Sequence, residues 1–282
     1  MSRAVHVLDD RRRELVFHGP PKRVVSLVPS DTFNVFALGV GDRLVGRTDY
    51  CELPADALAL PSVGGTKDAR LEAILALAPE LVLANQEENT KPLLESLAQA
   101  GVRVFVAFPR RVIDGVAHLA RLARIFHVER EPHVRELISS GYQLASREPA
   151  PSKRVFCPIW KDPWMTANGD TYMSDVMRLQ GFHNIFSDRE RRYPLSADLD
   201  SAVVAKAPKE RDVRYPRVTL EEILARAPEA VLLPDEPYSF LDVHGAIFRD
   251  HGICVQLVSG KELTWYGAMT VQSLGRSRHR RS

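Results

Sequence analysis

Hydrophobic and polar positions along the first hundred residues alternate between two rhythms. Residues 23–28 (RVVSLV) form a short β-branched run that stops at Pro29, and the spacing over residues 32–38 then predicts a helix closed by Gly39. Residues 44–47 suit a second strand. Leu71, Ile74, Leu75 and Ala78 fall on one helical face, Pro79 ends that helix, and residues 81–84 follow as a buried strand. A further helix over residues 90–100 stops at Gly101, and residues 102–107 make another strand. Strands separated by helices of this length predict parallel βαβ units.

From Val112 to about Arg147 the strand rhythm disappears. Val112, Val116, Leu119, Leu122 and Ala123 recur at helical spacing, and a second helical stretch runs over residues 132–145. Pro132 allows a kink between them because it cannot donate to the preceding turn. After a linker, EPAPS (148–152), the second half restarts the first. SKRVFCPIW (152–160) parallels PKRVVSLVP (21–29), and residues 171–186 repeat the helix, glycine and strand. LEAILALAPELVL (71–83) returns as LEEILARAPEAVL (220–232), identical at 10 of 13 positions, before a last strand over residues 253–258.

The repeated unit is therefore a lobe. The expected fold is α/β: two Rossmann-like lobes with parallel sheets, joined by a long helical spine, with a ligand cleft between the lobes. Residues 1–110 form the N-terminal lobe, 111–148 the connecting helix, and 149–282 the C-terminal lobe. An insertion near 195–213, flanked on both sides by Arg-Tyr-Pro, breaks the symmetry and reads as a surface loop or a lid. Ligands favour such clefts at the carboxyl ends of the strands.

Composition changes this picture little. Charged content of 26% and a net charge of +2 are ordinary, and the last eight residues (GRSRHRRS) hold four arginines and no acid, which reads as a frayed, solvated end. The remainder is near neutral, so no nucleic-acid partner is expected. Cys51, Cys157 and Cys254 lie far apart without a CxxC pair, as free buried thiols would. No apolar stretch reaches membrane-spanning length. The N-terminus lacks a secretory-signal pattern, which places the chain in the cytoplasm as written, and in the periplasm or at the cell surface if the start lies upstream.

Together, DDRRRELVFHGPPKRVVSLVPSDTFNVFALGVGDRLVG (9–46), VGGTKDARLEAILALAPELVLA (63–84), NIFSDRE (184–190) and RYPRVTLEEILARAPEAVLL (214–233) resemble the helical-backbone solute-binding proteins that serve cobalamin and iron-siderophore ABC importers. The pattern is most similar to the cobalamin-binding members. The resemblance implies an N-terminal hairpin before the first strand, and a monomer that binds a small-molecule metal chelate. It also implies docking to an ABC permease dimer through one glutamate per lobe, Glu72 and Glu221 here. A carboxylate in the first turn of a helix suits a bidentate arginine, and capping of the helix is its simpler role.

Aromatic residues supply the candidate ligand contacts. Trp160 and Trp164 follow a strand in IWKDPW, Tyr50 follows the second strand, and Trp265 and Tyr266 follow the last. Tyr193 and Tyr215 flank the insertion. Flat, weakly polar side chains suit a corrin, heme or aryl-rich chelate, although such residues also pack the mouths of lobes. Asp162 and Asp49 are placed to accept from ligand amides, and Arg110 and Arg111 to meet an anionic siderophore. No required cofactor, catalytic residue or protein metal ligand is expected. The nine histidines are scattered, and Cys51 is the one thiolate weighed as an axial ligand. GVGDRLVG (39–46) is not GxGxxG, and no Gly-x-Ser-x-Gly occurs. The main expectation is a solute-binding protein rather than an enzyme. The alternatives are a cytoplasmic paralogue holding a corrinoid or tetrapyrrole without a transporter, and a chelatase-like enzyme.

Overall fold

The computed structural model describes residues 4–150, 153–200 and 202–279. These separate into two compact units. Unit 1 holds 4–109, 113–144 and 265–272; unit 2 holds 110–112, 145–264 and 273–279.

Unit 1 opens with an antiparallel hairpin, β1 (Val5–Leu8) and β2 (Glu14–Phe17). Then come β3 (Val24–Ser26), α1 (Pro29–Ala37), β4 (Leu44–Arg47), α2 (Leu71–Ala76), β5 (Leu81–Asn85), α3 (Lys91–Gln99) and β6 (Arg103–Ala107). The four strands β4-β3-β5-β6 are parallel. Alternation along them divides the core between two faces. Val24, Leu81, Leu83 and Phe105 pack with Val35 and Leu38 at the first helix and with Leu119 and Leu122. Val25, Val82, Ala84, Val104 and Val106 pack with Ile74, Leu94 and Leu97.

The expected spine is two helices, α4 (Val112–Ile125) and α5 (Pro132–Ala145). The chain breaks between them at His127, whose φ of 59° is left-handed, and Pro132 restarts the helix with its fixed φ. Gly141 lets α5 approach its neighbours, since a Cβ there would lie 2.9 Å from Val116 and 3.0 Å from Val271.

Unit 2 repeats the plan with β7 (Lys153–Phe156), β8 (Pro158–Trp160), β9 (Met165–Thr166), α6 (Tyr172–Leu179), β10 (Phe182–Asn184), α7 (Leu220–Ala225), β11 (Ala230–Pro234), α8 (Ala246–Arg249), β12 (Cys254–Val258) and α9 (Gly260–Thr264); of α10 (Ala268–His279), residues 268–272 belong to unit 1 and 273–279 to unit 2. The parallel order β10-β7-β11-β12 matches β4-β3-β5-β6 strand for strand: second, first, third, fourth. Its core joins Phe156, Val231 and Leu233 to Phe186, Ile223, Phe240 and Phe248.

The duplicated sentence of sequence has the same local physics in both units. α2 and α7 each run six residues, and each ends in a left-handed alanine, Ala78 (φ 44°) or Ala227 (φ 45°). The following proline disfavours the right-handed helical region for the alanine, so the helix stops there. Glu80 then donates its N–H to Arg23 O (2.8 Å), and its carboxylate accepts from Lys22 N (2.8 Å). Glu229 donates to Arg154 O (2.9 Å) and accepts from Arg154 N (2.7 Å). Each glutamate thus ties the third strand of its sheet to the start of the first.

Two expectations change. The run 152–160 is not one strand: β8 leaves the sheet after Cys157 to pair antiparallel with β9, and Pro158 has no N–H to continue the ladder. The arginine-rich end is helical to His279, with residues 280–282 outside those described, and Arg276 is bonded to Glu262 at 2.7 Å. The insertion is anchored through one carboxylate. Asp198, its side chain fully buried, accepts from Arg192 N (2.6 Å), Arg217 N (3.2 Å) and Arg189 (3.3 Å).

Candidate ligand-binding face

In unit 2 the segments that follow the parallel strands β7 and β11 carry the aromatic residues. Trp160 ends β8 and stays 47% exposed. Its ring meets Tyr238, in the turn after β11, edge to face at 5.2 Å. Tyr238 packs at 4.6 Å on Phe240, and Phe240 stacks on Trp164 at 6.0 Å with only 8° between planes. Trp164 continues inward to Phe156 and Phe248. The two tryptophans of IWKDPW therefore divide the work: Trp164 roots the layer in the core, and Trp160 presents an aromatic face to solvent.

Polar groups frame this layer. Lys161 bonds Asp162 at 2.7 Å and lies 5.8 Å from the Trp164 ring, so the Asp162 carboxylate already has a partner. His244 packs on both Tyr238 and Phe240, and its Nδ1 accepts from Leu241 N at 2.9 Å. An accepting Nδ1 puts the ring proton on Nε2.

The insertion adds a second aromatic group. Tyr193 donates to Asp212 O (2.8 Å), with the Arg191 and Arg211 guanidinium groups 5.7 and 5.1 Å from its ring centre. Arg214 lies 5.4 Å from the Tyr215 ring and is bonded to Asp212. Burial alone would raise the Asp212 carboxyl, but the Arg214 hydrogen bonds and the Arg110 charge bring it below its usual range. Arg110, expected to meet an anionic ligand, is paired with Asp170.

In unit 1, Tyr50 follows β4 and is 62% exposed. Asp49 accepts from Ser62 at 2.5 Å. Cys51 is buried beside Thr48 (3.1 Å), and burial, the largest influence, raises its thiol, which leaves no exposed thiolate for a metal. Trp265 and Tyr266 correct an expectation: they do not reach solvent, being 4% and 3% exposed. Trp265 meets Phe33 edge to face at 6.4 Å. Tyr266 donates to Asp31 (3.1 Å), whose other oxygen bonds His118 Nε2 (2.7 Å), and its hydroxyl is pushed well above its ordinary value by burial and then by the Asp31 charge. These two aromatics hold the turn before α10 in the core because Gly267 lets that turn pass against Asn34, where a Cβ would lie 2.4 Å from Oδ1.

Glu72 and Glu221 are both exposed in the first turn of α2 and α7. Only the second helix has a side-chain cap, Thr219 accepting from Glu222 N at 3.2 Å. The Glu221 carboxyl is lowered by its own backbone N–H and by Thr219.

Sequence reasoning missed Tyr238 and His244. The duplication was the available signal, since the turn after β11 is the counterpart of the turn after β5. Among the described residues, no cluster of three or more His, Cys, Asp or Glu has metal-binding geometry, and no helix is long and apolar enough to cross a membrane.

The model of the periplasmic binding protein family matches residues 24–236. The vitamin B12-binding protein of Photorhabdus laumondii is 30% identical over 224 residues, covering 77% of this chain and 72% of that protein. A periplasmic heme-binding protein from Pseudomonas aeruginosa superimposes with a TM-score of 0.71 at 21% identity, over 92% of each chain. A protein of an ABC-type Fe3+-hydroxamate transport system from Saccharomonospora viridis does so with a TM-score of 0.66 at 23% identity, over 98% of each chain. These two solved structures share the fold. The family match across three quarters of the sequence, on two units with the same strand order, makes the chain a member of the periplasmic binding protein family.

Proposed function

We propose that this chain is the solute-binding component of an ABC-type importer and carries a metal chelate: a cobalamin-like corrinoid, heme or a ferric siderophore. The observation that carries the reading is the Trp160–Tyr238 pair, an exposed edge-to-face aromatic surface at the carboxyl ends of unit 2 strands, backed by Trp164 and Phe240. Such a surface offers large contact area at small entropic cost. The named relatives are consistent with it, since they are called vitamin B12-, heme- and Fe3+-hydroxamate-type proteins. The ligand's metal arrives already chelated, so no protein metal cluster is needed. Tyr50 is the corresponding contact in unit 1, and Glu72 and Glu221 are the permease-docking residues. Membership of a periplasmic family favours a periplasmic or cell-surface location over the cytoplasmic one read from the N-terminus.

The test is titration with cyanocobalamin, hemin and a ferric hydroxamate while following tryptophan emission. At least one should quench saturably at one equivalent and be recovered unchanged. Absence of quenching by all three would sink the reading, and turnover of metal plus free tetrapyrrole would replace it with a chelatase-like enzyme.

A further inference from the structure

The fourth place in the strand order is built differently in the two units. In β4-β3-β5-β6 it is β6, and in β10-β7-β11-β12 it is β12. Each lies beside a third strand, β5 or β11, that is buried throughout. Yet β6 is buried at every residue but its first, whereas β12 has no buried residue.

The registers match residue for residue. Val106 pairs with Ala84 in one sheet and Leu257 with Leu233 in the other, so Val106 and Leu257 are counterparts. Val258 O accepts Asp235 N at 3.3 Å, which turns the backbone groups of Cys254, Gln256 and Val258 toward β11. Those of Val255 and Leu257 point to the outer edge, because the direction alternates along a strand. In unit 1 the N-terminal hairpin closes that edge. Val106 O accepts Asp10 N at 3.0 Å, Phe108 N donates to the Asp10 carboxylate at 2.6 Å, and Arg103 donates to Val16 O at 3.3 Å. In unit 2, α5 rather than a hairpin precedes the first strand, and β12 pairs with β11 alone among the described residues. Val106 is fully buried in consequence, and Leu257 is 56% exposed.

The uncovered strand also lacks the usual protection. Charge or proline normally keeps an open edge from pairing with another chain. The other outer strands carry Arg47, Arg103 or His183, but CVQLV (254–258) has neither charge nor proline. Val243 and Ile247, on the helical segment that packs against Val255 through Gly245, are exposed as well.

The strand is complementary to itself. Antiparallel pairing about a two-fold axis at Gln256 sets Val255 of each copy opposite Leu257 of the other. These are the residues whose N–H and C=O groups face outward, and each such pair exchanges two hydrogen bonds. Apolar side chains then meet apolar ones, no like charges oppose along the strand, and the two-fold closes the assembly at two copies. We propose that β12 is an interface between two copies of this chain, joined edge to edge into one continuous sheet. The proposal does not depend on which ligand the protein carries, and it replaces the monomer expected from the sequence with a concentration-dependent dimer. A five-residue edge is small beside the roughly 1,200–2,000 Å² of stable interfaces, so dissociation constants on the order of 10–100 μM are expected.

Sedimentation equilibrium of the wild-type protein from about 1 μM to several hundred μM brackets that range. The mass should rise toward two protomers, and Leu257→Lys should weaken dimerisation on the order of tenfold or more by placing like charges at the pair. Its thermal midpoint, measured at a concentration where both proteins are monomeric, should match the wild type. A single-protomer mass throughout overturns the proposal and leaves the edge to a different partner. A dimer unaffected by Leu257→Lys lies elsewhere and also overturns it. A cross-link supplies the decision if Leu257→Lys proves unstable. Residues facing each other on the axis have Cα atoms about 4.5 Å apart, within disulfide reach. In a Cys254→Ser background, Gln256→Cys should therefore oxidise to a covalent dimer about tenfold faster or more than Leu195→Cys, a half-exposed position on the insertion. Equal rates would remove the interface.

Discussion

Asp31 Oδ1 lies 2.7 Å from His118 Nε2, and neither side chain is exposed. The same carboxylate takes Tyr266 O–H at 3.1 Å and Asn34 Nδ2 at 3.2 Å, while Asn34 Oδ1 takes Ala268 N at 2.8 Å. One carboxylate therefore organises α1, α4 and the turn before α10 within unit 1. Asp31→Ala strips three buried donors of their acceptor and should cost about 3 kcal/mol or more in urea unfolding. Asp31→Asn should cost less, since the amide oxygen still accepts. Equal, small losses for both variants would mean that the cluster contributes little to stability.

Ligand-free emission should report one tryptophan far more than the others to a polar quencher. Trp160 is 47% exposed and Trp265 4%, while Trp164 is partly buried and stacked on Phe240. Trp160→Phe should remove most of the acrylamide-quenchable emission, whereas Trp265→Phe should leave the accessible fraction unchanged. The same substitution identifies the reporter in any ligand titration.

Thiol chemistry has a definite order. Burial pushes the Cys157 thiol up to about 12 and raises that of Cys51, whereas Cys254 is exposed on β12. Only the thiolate reacts, so at pH 8 a thiol reagent should titrate one cysteine rapidly in the native protein and three in denaturant. The fast site should vanish in Cys254→Ser. Two fast equivalents in native protein would contradict the burial of Cys51 and Cys157.

Glu72→Ala and Glu221→Ala should leave chelate affinity within about twofold, because both carboxylates are exposed and neither belongs to the aromatic layer. Their expected effect is on transport, measured as chelate uptake with the cognate permease, and the double variant should lose more than either single one. A collapse of affinity in either variant would move that glutamate from docking to ligand contact.

Much of the fold was legible because its signals are local. The ends of the four parallel strands of unit 1 were read within two residues. The repeat announced unit 2 through Pro79-Glu80 and Pro228-Glu229, a helix stop followed by a carboxylate tie to the first strand. Burial of Trp265 and Tyr266 was not legible. It depends on Asp31 and Asn34, which lie 235 and 234 residues from the groups they bond. A Trp-Tyr pair after a strand reads the same whether or not such partners exist.

Periodicity, chain punctuation and the 13-residue duplication determined by themselves that this protein is α/β, that it is built twice, and where its paired glutamates stand, because each is a property of neighbouring residues. Which aromatics face solvent was decided only by tertiary structure. Trp160 stands exposed beside Tyr238, whereas Trp265 is buried against Phe33. Such outcomes follow from competition among groups brought together by folding, and no window of sequence contains all the competitors.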